Sequence, residues 1–250
     1  MWSFAIPPMT DAALVFARIG TMIMLVPALG ERIVLRQGRL LLALFLTLVM
    51  VPIVPLGEVP RGSASGLVQI FFSEMAIGAI FGMALRIVAA GLEFAGHLIA
   101  QSLGLTFAET FDPMQGGQSS VLVQGLVLMG IATLMAADMH HVLIAAMVES
   151  YSVFPPLGWS MNEGLAQWVL LSFAKMGAVA LGLAAPFVLL SLVVNGALGI
   201  LSRAMPQLQI YFIGIPLVIL AGMALLAALA ATLMTLHVEG LRQFLKLAGF

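Results

Sequence analysis

No cysteine occurs in the 250 residues, so disulfides and thiolate-held metals are excluded and the redox compartment cannot be read from thiol usage. Charge is almost as scarce. Only 8% of residues are charged and the formal net charge is -1, too little to build the basic face that a nucleic-acid partner requires. The start, Met-Trp-Ser-Phe-Ala-Ile-Pro-Pro, has no basic stretch and runs into Asp11, so no cleavable signal is expected and the first helix should remain in the mature chain. Two motifs are missing as well. Without GxxxxGK[ST] there is no phosphate loop, and without GxSxG there is no nucleophile elbow.

What fills the space is apolar. Hydrophobic residues make up 62% of the chain and the mean hydropathy is +1.14, well beyond a soluble domain, where about half the residues are apolar. The bilayer must supply much of the solvent. The expected fold class is therefore all-α: a polytopic integral membrane protein built from helical hairpins.

The apolar runs can be read in order. Ala12 to Gly30 carries Arg18, and a basic loop with Arg32, Arg36 and Arg39 follows. Such a loop faces the cytoplasm by the positive-inside rule. Leu40 to Gly57 is charge-free and ends among Pro52, Pro55 and Pro60; Leu67 to Ala90 carries Glu74 and Arg86; Gly91 to Phe107 carries Glu93, His97 and Gln101. After a polar loop come Val121 to Ala137, a short segment ending near Tyr151, Leu165 to Val194 with Lys175 and Pro186, and Ile210 to Leu236 with Pro216. An amphipathic tail with Glu239, Arg242 and Lys246 closes the chain, and its two cations also favour the cytoplasm. The expected count is six or seven apolar segments, because no loop fits between Ala90 and Gly91 and the segment after His141 is short. Hydropathy does not tell a lipid-crossing helix from one buried by protein on all sides.

Several polar positions stand out against this background. Glu74, Gly78 and Gly82 share one helical face, a small-xxx-small spacing that lets a second helix approach closely. The favoured reading is a tight helix contact with Glu74 bonded to a polar neighbour; the second makes Glu74 part of a proton or ion path, as intramembrane carboxylates are functional candidates. His97, between Glu93 and Gln101, reads as a satisfied interior histidine, since the three ligands of a catalytic zinc are not at hand. Asp138, His140 and His141 sit at a segment boundary, where polar residues need no special role, and no metal is expected there or elsewhere. Arg203 is the only Asp, Glu, Lys or Arg between Lys175 and Glu239. It is either an interfacial anchor or the holder of a polar contact with another subunit. Pro186, Pro206 and Pro216 are expected to bend or interrupt their helices.

Together these landmarks resemble the FliR family of flagellar biosynthetic proteins, whose counterparts serve type III secretion. The likeness covers nearly the whole chain. It rests on Glu74, Gly78 and Gly82, on Gln101-Ser102-Leu103-Gly104 leading to Phe111-Asp112-Pro113, on His141 before Glu149-Ser150, and on the run from Asn195 through Arg203, Pro206 and Gln207 to Gly214 and Pro216. Family members commonly read Pro-Gln-Met-Asn in that last run, whereas this chain has Pro206-Gln207-Leu208-Gln209, keeping an amide on a longer stem.

The resemblance implies that residues 1–250 form one export-gate membrane domain in the bacterial inner membrane, at the flagellar basal body. It implies a channel-forming structural subunit, not an enzyme, with no cofactor. Its partners would be FliP-like and FliQ-like subunits, other export-apparatus membrane proteins, membrane lipid and the unfolded secreted proteins that pass through. It also makes Phe111, Asp112, Pro113, Met114, Gln115, Gly116 and Gly117 the plug of the closed pore, and Glu74, Gly78, Gly82, Arg203, Pro206 and Gln207 structural polar or packing positions. A proton-coupled small-solute transporter is the alternative, although no internal repeat of the kind such transporters carry is evident.

Overall fold

The computed structural model describes residues 9–27, 35–54, 64–105, 121–155, 163–205 and 210–247. They fold into seven helices: α1 Met9–Leu25, α2 Arg36–Met50, α3 Ala64–Ser102, α4 Val121–Ala136, α5 Met139–Val153, α6 Glu163–Ala204 and α7 Ile210–Leu247. Asp11 lies in the first turn of α1, where a carboxylate meets the positive end of the helix dipole.

The long helices differ from the sequence expectation. Leu67 to Ala90 and Gly91 to Phe107, expected as separate segments, are one continuous helix, α3. Gly91 is not a turn. A Cβ there would press on the Met176 carbonyl oxygen at 3.0 Å and on Val179, so the glycine permits close packing of two helices. Likewise α6 runs to Ala204, beyond the expected end at Val194, and α7 absorbs the amphipathic tail as far as Leu247. Pro186 and Pro216 both lie inside helices and end neither.

The chain divides into two compact units. One comprises Met1–Val88, Leu134–Ala174 and Leu241–Phe250. Within it Val15, Ile19, Met22 and Ile23 of α1 are buried, as are Ile77, Phe81 and Leu85 of α3. Trp168 of α6 stands against Phe81 at 5.4 Å, Phe244 at 5.6 Å and, edge-on, Phe154 at 6.2 Å between ring centroids. The other unit comprises Ala89–Thr133 and Lys175–Gly240. Its core joins Leu92, Ile99 and Leu103 of α3 to Leu126, Leu183, Phe187, Val218 and Leu233.

Among the described residues, three stretches are long and apolar enough to cross a membrane: Ser65–Ser102, Gln167–Ala204 and Gly214–Leu247. A fourth arises if α4 and α5, bent by 74° at their break, count as one span. These are fewer than the six or seven apolar segments expected, because two of those segments fuse in α3 and because α1 and α2, at 17 and 15 residues, are shorter than the roughly 20 that a crossing needs. The protein is an all-α membrane protein.

Candidate functional site

Two side chains of unlike charge meet where no water reaches them. Arg18 of α1 and Glu74 of α3 are both fully buried. Arg18 donates from Nε to Glu74 Oε2 at 2.6 Å and from Nη2 to Oε1 at 3.0 Å, the two-pronged geometry that makes arginine–carboxylate bonds strong. A third donor, Nη1, reaches the Ser150 carbonyl oxygen at 3.1 Å. That carbonyl lies in the last turn of α5, where the helix dipole presents partial negative charge. The guanidinium carbon also stands 4.0 Å from the centre of the Tyr151 ring, within cation–π range.

Backbone proximity makes this geometry possible. Gly78 and Gly82 lie one and two turns after Glu74 on α3. A Cβ on Gly78 would collide with Thr21 Oγ1 and the Arg18 carbonyl oxygen; one on Gly82 would meet Leu25 Cβ at 2.8 Å. Thr21 turns its own hydroxyl back on the Ala17 and Arg18 carbonyl oxygens, at 2.8 Å each. The glycines thus let α1 lie against α3 closely enough for the arginine fork to close on Glu74 without a bridging water.

Chemically this is a tie among α1, α3 and α5. Both carboxylate oxygens of Glu74 are taken by one permanent cation, which leaves neither free to face a path through the protein. That arrangement favours the packing reading of Glu74 over the proton path. Arg18, Ser150 and Tyr151 were not singled out as its partners in the sequence. The available signal was a lone arginine in one apolar segment and a carboxylate in another, since intramembrane charges pair with one another.

The other expected positions scatter. Arg203 is exposed in the last turn of α6 and forms no ion pair with any described residue. Pro206 and Gln207 lie outside the described residues, as do Phe111, Asp112, Pro113, Met114, Gln115, Gly116 and Gly117. Glu93, His97 and Gln101 do share a face of α3, but it is an exposed one. His97 is therefore not an interior histidine: its helix turns that face away from the buried Leu92, Ala95 and Ile99.

Comparison with known proteins gives a consistent picture. Residues 9–244 match the family described as "Bacterial export proteins, family 1". The chain is 36% identical over 218 residues to the "Flagellar biosynthetic protein FliR" of Caulobacter vibrioides, covering 86% of each chain. It is 31% identical to the protein of that name from Escherichia coli K12, covering 85% of this chain and 81% of the relative. For the Bacillus subtilis protein of the same name the identity is 27%, over 94% of this chain and 95% of the relative.

Proposed function

Because this chain belongs to the bacterial export proteins, family 1, we propose that it is a channel-forming structural subunit of the flagellar protein export gate. In this reading its residues 1–250 act as one functional domain at the basal body in the inner membrane. FliP-like and FliQ-like subunits are its neighbours, and unfolded axial proteins are the cargo. No catalysis is assigned to it. Phe111 to Gly117 form the plug, and Arg203 holds a polar contact with a neighbouring subunit.

One observation carries this reading. Large apolar side chains stay exposed along α6 from Leu170 to Leu201, and most of its apolar stretch is not buried. That stretch is about 47 Å of helix at 1.5 Å per residue, against a hydrocarbon layer of roughly 30 Å. Even a tilt of about 40° lengthens the path to only about 39 Å. The excess needs cover from protein, as it has in an assembly of helical subunits. A self-contained transporter does not call for such cover, and the locked Arg18–Glu74 pair offers it no free carboxylate.

Photo-crosslinking amino acids placed at Leu192 and Ile200, in cells that build flagella, test the proposal. Crosslinks from either position to FliP-like or FliQ-like proteins support it; lipid-only products at both, from a particle containing this chain alone, overturn it. Arg203→Ala is expected to reduce recovery of the complex more than the amount of chain in the membrane. Equal recovery of the complex removes the contact assigned to Arg203.

A further inference from the structure

We propose that Asp138, His140 and His141 form a binding site for a divalent transition-metal ion at the break between α4 and α5, a role the export reading does not call for. The three side chains each offer one ligand atom, and all of these atoms lie within 4.8 Å of one another. Asp138 Oδ1 and His141 Nδ1 are 3.7 Å apart. Ligand atoms around tetrahedral zinc are about 3.3 Å apart, given bonds of about 2.0 Å, so modest side-chain rotation closes the set.

The local backbone serves this convergence. Successive residues on a helix point about 100° apart, yet the His140 and His141 ring centroids are 4.0 Å from each other. Asp138 adopts the left-handed conformation with φ 55°, which aspartate and asparagine enter more readily than other non-glycine residues. It occupies the N-cap of α5, but its carboxylate makes no capping hydrogen bond and stands beside His141. His140 Nδ1 is shielded from solvent and has no hydrogen-bond partner among the described residues. Among the described residues the three groups thus face one another, with no capping bond to the α5 backbone. An exposed Asp–His pair at 3.7 Å adds little stability of its own.

Two imidazoles and one carboxylate select the class of ion. Zn²⁺, Ni²⁺ and Cu²⁺ suit this donor set, whereas Mg²⁺ and Ca²⁺ prefer oxygen throughout. The Asp138 and His141 side chains are 77% and 72% exposed, so an ion and a completing water can enter. Bound there, a metal would fix the break between the two helices.

The test uses the full chain in mild detergent, carrying an affinity tag without histidine and stripped with chelator. Zn²⁺ binding is measured by equilibrium dialysis, with Co²⁺ absorption reporting geometry. One Zn²⁺ per chain is expected, unaffected by excess Mg²⁺. Asp138→Asn and His141→Ala should each weaken it about tenfold or more, since loss even of a group that only supports a ligand costs about 10–100-fold. His97→Gln, on the exposed face of α3, should leave it unchanged. Asparagine tolerates the left-handed conformation, so the Asp138 variant keeps the backbone and removes only the charge. Absence of saturable Zn²⁺ binding, or binding undiminished in both site variants, overturns the proposal.

Discussion

Removing one charge of the Arg18–Glu74 pair should be far worse than removing both. Glu74→Ala leaves a guanidinium buried with only the Ser150 carbonyl and the Tyr151 ring for company, and stranding a buried charge in this way costs about 3–5 kcal/mol. Arg18→Met combined with Glu74→Leu removes the charges together with their desolvation cost, and such exchanges are often neutral. Thermal unfolding of the two single variants and the double variant in one detergent checks this. A double variant as unstable as the sum of the singles would mean that the pair is not the tie described. Each charge was conspicuous in the sequence as an intruder in an apolar run. Their pairing was not, because 56 residues and an intervening helix separate them and the pattern of either helix alone gives no register against the other.

Elements were legible to the extent that their ends were marked by residues that cannot continue a helix or by a run of charge. The stripe Glu74, Gly78, Gly82 announced a close helix contact through spacing alone, and α1 lies against it. Gly91 carries the same kind of signal, yet in the sequence it reads as the start of a new segment. In an all-round apolar helix the 3.6-residue pattern fades, so a glycine that packs and a glycine that turns look alike. Proline misled for a similar reason, since neighbouring groups in a membrane protein can satisfy the backbone that Pro186 and Pro216 free. The stripe itself leads to a prediction. Gly78→Ala puts a methyl group against the Arg18 backbone, which cannot swing aside, and such overpacking costs about 1–3 kcal/mol. Gly182→Ala, with nothing among the described residues within 4 Å of the added carbon, should instead stabilise α6 by up to about 1 kcal/mol through helix propensity. Melting temperatures of the isolated chain should move in opposite directions for the two variants. A Gly78→Ala protein as stable as its parent would remove the close approach of α1 and α3 as the reason for that glycine.

At the scale of the whole molecule, composition already dictated a helical membrane protein, because only helices or closed barrels satisfy their backbone in lipid and no alternating strand pattern is present. What composition leaves open is what the long helices enclose. Between α3 and α4 the chain reads Thr-Phe-Ala-Glu-Thr-Phe-Asp-Pro-Met-Gln-Gly-Gly-Gln-Ser-Ser over residues 106–120, a polar stretch too poor in apolar residues to cross lipid. If residues 111–117 stop a pore that this chain forms with its partners, their function appears only in the assembled gate. Deleting Phe111 to Gln118 should therefore leave the stability of the purified chain and its recovery in the complex nearly unchanged, while ion conductance through assembled gates in a bilayer rises above that of the parent. The two readouts separate the possibilities. Loss of assembly would make the segment a structural connector, and normal assembly with unchanged conductance would place the seal elsewhere in the gate.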